Sequence, residues 1–229
     1  GCTRMPAITA AVVPPANLPL LRRVEIAESP GMLQSDGAWS FLWGLPALNH
    51  LAVHVNAAVM SASCRVLSAL PATSALAARS LHMFRVHAAE AHAPPTGEQY
   101  GLHFAKLPAL RCVDLRDCSR MDGACLGLLS RPEQLHRLSL TRLSQQSQLA
   151  NIEPHLLRMT RLRQLVLHGN PPLNDAAPVL VPLTHACPLL QIVRMYPPVA
   201  QGSSVTVTVA GSNGERERVE VWRRTAQDP

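Results

Sequence analysis

One motif recurs along the chain and constrains its fold more than any other feature. The pattern is L-x-x-Φ-x-Φ, in which Φ is aliphatic, Phe or Met, and its copies begin at Leu21, Leu48, Leu81, Leu110, Leu135, Leu162 and Leu190. Consecutive copies lie 27, 33, 29, 25, 27 and 28 residues apart. One strand and one short helix fit this length, and units of that kind stack into a solenoid. We therefore expect an α/β solenoid of about seven repeats, with a parallel sheet on one side and short helices on the other.

A longer form of the motif appears in four copies. In each, Leu or Cys followed by Pro stands three residues before the repeat leucine, at Leu18-Pro19, Leu45-Pro46, Leu107-Pro108 and Cys187-Pro188. The stretch LPALRCVDLRDC, which ends at Cys118, has the same spacing with a terminal cysteine. These features resemble the cysteine-containing class of leucine-rich repeats, which implies a concave parallel sheet and convex helices.

That resemblance also assigns a role to the residue eight positions after the first leucine. In the family this residue points into the turn and hydrogen-bonds successive backbones. Three copies carry a suitable residue there, namely Asn56, Cys118 and Asn170. The other four copies depart from the pattern, with Ser29, Ala89, Leu143 and Pro198. We expect a solenoid whose ladder of turns is irregular.

The chain divides into three parts by composition. Residues 1–17 contain three prolines and no acid and predict an extended arm, whereas residues 18–199 hold the repeats. In residues 200–229 the repeat is lost, and alternating valines around Gly211-Ser212-Asn213-Gly214 predict a β-hairpin. This hairpin could cap the open end of the solenoid. It could instead be a docking tail, through Arg216, Arg218, Trp222, Arg223 and Arg224.

Strand alternation predicts which side chains line the concave face. Aligning the repeats sorts these residues into three columns, and the candidate binding residues among them are His54, Arg85, His87, Asp114, Arg116, Arg137, His168, Arg194 and Tyr196. Basic residues and histidines outnumber acids there, so the face could dock an acidic protein segment or an RNA backbone. The alternative is a solvated face whose polar residues are incidental.

The charge balance favours anionic partners without choosing one. The formal net charge is +6, and Lys106 is the only lysine beside the arginines. Arg158, Arg161 and Arg163 cluster before the sixth strand, where they could contact phosphate or simply end a solvated helix. An acid-free stretch up to Val24 is similar to the mature edge of an organelle-targeted protein.

Motifs for catalysis, cofactors and metals are missing from the sequence. Asp114 lies between His87 and His168 in the column alignment, but no glycine motif of the oxyanion type accompanies it. Six cysteines form no CxxC pair, and Cys112, Cys118 and Cys125 with His136 match no zinc spacing. We expect no enzyme activity, cofactor or metal, and free thiols in a reducing compartment. No apolar run is long enough to predict a membrane span.

Together these features predict a non-catalytic scaffold for protein-protein interactions. It would be a structural subunit or an assembly factor of a larger intracellular complex, for which mitochondrial and ribonucleoprotein assemblies are suitable hosts. Its partners would be other protein subunits, and contact with an RNA backbone is a further option. The competing hypothesis is a substrate receptor or adaptor, similar to those of ubiquitin ligases, that binds clients on its concave face.

Overall fold

A computed structural model describes residues 14–26, 30–70, 76–88, 95–118, 123–141, 149–168 and 182–196. The predicted C-terminal hairpin and its basic tail residues lie outside these ranges, as does Asn170. The end of the predicted N-terminal arm is described, and Pro15–Asn17 forms a short 3₁₀ helix there rather than extended chain.

The described strands form one sheet of seven members. In chain order they are β1 (Arg23–Ile26), β2 (His50–Val55), β3 (Met83–Ala88), β4 (Cys112–Arg116), β5 (Arg137–Thr141), β6 (Gln164–His168) and β7 (Ile192–Tyr196). Their order across the sheet is the same as along the chain. Every neighbouring pair is parallel. The predicted α/β class and parallel sheet are confirmed.

Equivalent positions of the motif stand directly opposite one another in adjacent strands. Val113 pairs with Leu138, and Leu138 pairs with Leu165. The same correspondence holds from β1 to β7, so no strand is shifted relative to the alignment made from sequence. A shift of one residue would have turned the aliphatic side chains of that strand to the other face.

Helices occupy the connections between the strands. The α-helices are α1 (Asp36–Gly44), α2 (Ala57–Ala69), α3 (Leu76–Ser80), α4 (Gly97–Lys106) and α5 (Leu149–Leu156). Shorter 3₁₀ helices span Pro30–Leu33, Gly123–Leu128 and Pro132–Gln134, and residues 182–186 are helical. Parallel strands joined in chain order by crossovers of one hand place all connections on the same side of the sheet. We call the opposite side the open face, and none of the described helices covers it.

Local capping explains where the longer helices begin. The Asn56 side chain accepts a hydrogen bond from Val59 N at 3.0 Å and caps α2. Ser35 caps α1 in the same way, through Ala38 N. At α4, Gln99 reaches back and accepts from Thr96 N at 2.9 Å. Proline lacks a backbone N–H and so disrupts the interior of a helix. The Pro94-Pro95 pair does not interrupt α4, because both prolines precede its cap at Thr96.

Two of the three turn residues assigned from the family resemblance are described, and both Asn56 and Cys118 are buried. The Asn56 side chain bonds to the first turn of α2. The Cys118 thiol donates to Arg116 O at 3.3 Å and lies 3.1 Å from the Tyr100 hydroxyl on α4. Asn56 thus joins the end of β2 to the helix that follows it, whereas Cys118 contacts α4, which precedes β4 in the chain.

The core lies between the sheet and the helices. The six aliphatic residues at the two Φ positions of β4, β5 and β6 are at most 1% exposed, and they are Val113, Leu115, Leu138, Leu140, Leu165 and Leu167. Trp39 and Trp43 of α1 stack with ring centroids 5.6 Å apart and close the layer near its N-terminal end. Burying one such aliphatic side chain contributes about 1.5–3 kcal/mol.

Backbone hydrogen bonds between neighbouring repeats begin one residue before each strand. The residue before one strand accepts two N–H groups from the next repeat: Arg111 O accepts from His136 N at 2.7 Å and Arg137 N at 3.0 Å. His136 O does the same for Arg163 N and Gln164 N. We call this line of residues the strand-entry edge, and its described members are Arg22, Asn49, His82, Arg111, His136, Arg163 and Gln191.

Candidate functional site on the open face of the sheet

Alternation along the strands gives the open face three columns of side chains. The first column holds Arg23, His50, Met83, Cys112, Arg137, Gln164 and Ile192. The middle column holds Glu25, Ala52, Arg85, Asp114, Ser139, Val166 and Arg194. The third column holds His54, His87, Arg116 and Thr141. The register continues along the backbone to His168 and Tyr196, whose side chains lie outside the described part of the structure. The register thus places the seven predicted face residues whose side chains are described in the columns expected for them.

Asp114 is the centre of an ion-pair network in the middle of this face. Its Oδ2 lies 2.8 Å from Arg85 Nε and 3.2 Å from a terminal guanidinium nitrogen of Arg116. The Asp114 side chain is only 5% exposed, whereas those of Arg85 and Arg116 are 32% and 49% exposed. Because the carboxylate is covered, the two arginines are the groups that a partner can reach.

The environment of Asp114 keeps it ionised. Burial alone would raise the pKa of this carboxyl, but a hydrogen bond and the charge of Arg116, the charge of Arg85 and a hydrogen bond from Ser139 together lower it. One buried negative charge therefore orients two positive charges. The trio keeps an excess positive charge on its exposed side.

A second cluster stands where β2 and β3 end. His87 Nε2 lies 2.7 Å from Asp117 Oδ2, and His87 Nδ1 lies 3.3 Å from His54 Nε2. The two imidazole rings meet edge to face, with centroids 4.5 Å apart. If neutral His87 donates its Nε2 hydrogen to Asp117, then His87 Nδ1 can accept a hydrogen bond from His54 Nε2. The cluster is a row of three polar groups linked by hydrogen bonds.

Asp117 belongs to this cluster although sequence reasoning did not single it out. It has φ of 58°, in the left-handed region, and its N–H donates to Thr141 O at 2.9 Å. Aspartate is enriched in that conformation. The signal that could have found it is its position one residue before the turn cysteine Cys118, where the chain leaves the strand.

A smaller group occupies the N-terminal end of the open face. Glu25 pairs with Arg23 at 2.5 Å and lies 3.2 Å from His50 Nε2. The hydrogen bond from Arg23 lowers the pKa of Glu25. Slight burial opposes this effect, and the charges of Arg23, His50 and Arg85 add to it. Burial, followed by the charge of Arg23, lowers the pKa of His50. This end of the face is close to electrically balanced.

Arg137 and Arg194 are the other predicted face residues whose side chains are described. Arg137 is half-buried in the first column, and its Nε has no hydrogen-bond partner among the described residues. Arg194 pairs in register with Val166, and His168 pairs with Tyr196 at the end of the sheet. The tail residues Arg216, Arg218, Trp222, Arg223 and Arg224 lie outside the described part of the chain.

A third polar cluster, also missed from sequence, is enclosed in the helical layer. His103 of α4 is completely buried, with Nε2 2.6 Å from the Ser63 hydroxyl and Nδ1 3.2 Å from Gln99 O. A neutral ring with its proton on Nδ1 satisfies both contacts, donating to the carbonyl and accepting from the hydroxyl. Burial lowers the pKa of His103 to about 4. This histidine joins α4 to α2 and is closed to any ligand.

The charged clusters suit the open face to binding charged groups.

The open face also carries a cysteine. Burial raises the pKa of the Cys112 thiol, so this cysteine is held as a thiol rather than a nucleophilic thiolate. In the described ranges, no set of three or more His, Cys, Asp and Glu side chains is arranged to hold a metal ion. The same ranges contain no helix with the length and apolar character needed to cross a membrane.

Comparison with known proteins adds no assignment to this geometry. The sequence matches no protein-family model, and no curated protein matches it significantly.

Proposed function

We propose that this chain is a leucine-rich repeat solenoid that serves as a non-catalytic scaffold for protein-protein interactions. It would be a structural subunit or assembly factor of a larger intracellular complex, and mitochondrial or ribonucleoprotein assemblies remain the proposed hosts. The repeat identity is supported by motif copies that coincide with the strands and by equivalent positions that pair in register. Buried Cys118 and Cys187 at the positions of the cysteine-containing motif add to it.

The observation that carries the scaffold function is the orientation of charge on the open face. Arg85 and Arg116 share one buried carboxylate, so their guanidinium groups are held in place before any partner arrives. Ordering side chains in advance reduces the entropy lost when a complex forms. Two cations held in place on a sheet face that none of the described helices covers are expected of a docking surface for acidic protein groups.

Size-exclusion chromatography of a native extract tests whether the protein is a constant part of a complex. The column fractions are immunoblotted for the protein. Under the proposal it elutes with a larger assembly. Elution solely at the mass of the free monomer would rule out a constitutive subunit.

The alternative proposal, a substrate receptor or adaptor for transient clients, rests on the same open face. It is favoured by the half-exposed state of Arg116, which leaves one side of its guanidinium free for exchangeable contacts. In this case the protein elutes as a monomer and associates with a larger assembly only when the client is present. Chromatography with and without chemical crosslinking separates the two proposals.

A further inference from the structure

Basic side chains lie along the strand-entry edge next to β4, β5 and β6. Arg111, His136 and Arg163 hold the same position in three consecutive repeats, each immediately before its strand. Arg161 lies two residues before Arg163. The three arginines are exposed and His136 is half-buried. This edge is separate from the open face, because its residues precede the strands and stand outside the three columns.

The backbone fixes the spacing of these residues. His136 N donates to Arg111 O at 2.7 Å, and Arg163 N donates to His136 O at 2.8 Å. Adjacent strands lie about 4.8 Å apart, so the backbones at Arg111 and Arg163 are separated by about 10 Å. Two guanidinium groups and an imidazole therefore project from a rigid line that is short enough for one partner segment to reach.

The positive charge on this line is not neutralised within the described part of the chain. Described arginines that form ion pairs are Arg23, Arg65, Arg85 and Arg116. Arg111, Arg161 and Arg163 form none there. Asp114, the acid nearest Arg111 in sequence, pairs with Arg85 and Arg116, and Glu133, the acid nearest His136, is exposed and pairs with none of the described arginines.

The behaviour of His136 reports the same concentration of charge. Burial is the first cause that lowers its pKa, and the charges of Arg111, Arg163 and Arg161 lower it further. All three arginines are thus close enough to His136 to disfavour a proton on it. An anion bound among them would reverse this effect and raise the pKa of His136.

The chemistry of the edge favours carboxylates over nucleic acid bases. The described aromatic side chains Trp39, Phe41, Trp43, Phe84, Tyr100 and Phe104 are all buried in the core. Single-stranded nucleic acids are bound largely by stacking on exposed rings, and no described ring is available here for that purpose. Arginine pairs with carboxylates through two parallel hydrogen bonds, which an Asp or Glu side chain supplies.

We propose that the strand-entry edge formed by Arg111, His136, Arg161 and Arg163 binds an acidic segment of a partner protein. Carboxylates of that segment pair with the three guanidinium groups, and the strand register sets their spacing. This inference rests on the proposed scaffold function and names the chemistry of one partner. It assigns that partner to a surface other than the open face.

Binding of an oligoglutamate peptide and of an RNA duplex, measured by fluorescence anisotropy at two ionic strengths, tests the proposal. The variant Arg111→Gln/Arg163→Gln is compared with Arg65→Gln/Lys106→Gln, which removes the same charge from exposed positions on α2 and α4. We expect the first variant to weaken peptide binding about three- to tenfold, since each exposed pair is worth up to about 1 kcal/mol. The control should bind as the unaltered protein does, and circular dichroism should show both variants folded.

A titration of His136 by NMR gives a second readout. Peptide binding should raise the pKa of His136 in the unaltered protein, because added carboxylates offset the arginine charges. Equal peptide affinity in the two variants, or no peptide binding at all, would overturn the proposal. Binding of the RNA duplex with no binding of the peptide would overturn it in favour of a phosphate partner. If the peptide binds at this edge but the protein never joins a larger assembly, the proposed binding site stands and the constitutive-subunit function is refuted.

Discussion

The helical layer and the open face of the sheet use histidine in opposite ways. His103 lies among Ser63, Gln99 and the rings of Trp43 and Phe84, and its neutral form links two helices inside the core. His87 lies at the strand ends against Asp117 and His54, with 39% of its side chain exposed. The same ring is a fixed structural link in one region and a partly exposed polar group in the other. Burial and the neighbouring groups, rather than residue type, decide which of the two environments a histidine has in this fold.

Truncating a core leucine should produce the largest difference between the two sides of one strand. Leu138→Ala removes a fully buried side chain that faces the helices, and should lower the free energy of unfolding by about 2–5 kcal/mol. Thr141→Ala, on the open side of β5, should change it by less than about 0.5 kcal/mol. Urea denaturation of both variants measures the contrast. Similar losses in the two would mean that the open face is as tightly packed as the core.

Acid should destabilise the protein through His103. The unfolded chain takes up a proton on this ring near its usual pKa of 6.5, whereas the folded chain does so only near 4. The unfolded state therefore binds more protons in that window, so this contribution is complete above the window and lost as the pH falls through it. The loss amounts to about 3 kcal/mol at the acid end.

The variant His103→Gln isolates this effect from that of the other histidines. Urea denaturation at several pH values should show a shallower loss of stability with acid in His103→Gln than in the unaltered protein. Burial is also the first cause that lowers the pKa of His50, His82, His136 and His155, so some acid sensitivity should remain. Identical slopes would show that folding does not lower the pKa of His103.

The sheet could be predicted from sequence because its information is local and repeated. Each copy of L-x-x-Φ-x-Φ places alternate aliphatic residues on one face, and seven aligned copies leave a single consistent register. Helix types were harder to predict. Met121–Leu129 has the apolar spacing of a helix, but its described part, Gly123–Leu128, is a 3₁₀ helix. Two glycines in that stretch weaken the preference for an α-helix.

The site could be predicted only column by column. Aligning the repeats placed Arg85, Asp114 and Arg116 on one face, but not the covered position of Asp114 beneath the two arginines. Ser63 and His103 are separated by 40 residues in the chain, and no pattern marks them as partners. Such contacts depend on how neighbouring connections pack, which varies from one connection to the next.

Removing the cap of α2 should have an intermediate effect that belongs to the helical layer alone. Asn56→Ala leaves Val59 N without its acceptor and should reduce stability by about 1 kcal/mol. Asn56→Asp keeps an acceptor oxygen and should lose much less. Thermal unfolding measures both. A larger loss in the alanine variant than any cap accounts for would indicate that Asn56 also bonds to a neighbouring repeat, as the family resemblance implies.

The smallest effect on stability and the largest on assembly should come from neutralising the open face. Reversing the charge of Arg116 would set two carboxylates against each other at Asp114 and confuse folding with binding, so Arg116→Gln/Arg137→Gln is the informative variant. Its unfolding free energy should change by less than about 1 kcal/mol, because Asp114 keeps Arg85 and the lost pair is half-exposed. Under the scaffold proposal it should no longer co-elute with its complex, while Arg65→Gln/Lys106→Gln should still do so. Unchanged co-elution of a folded Arg116→Gln/Arg137→Gln protein would move the interface to the strand-entry edge, the helical side or the tail.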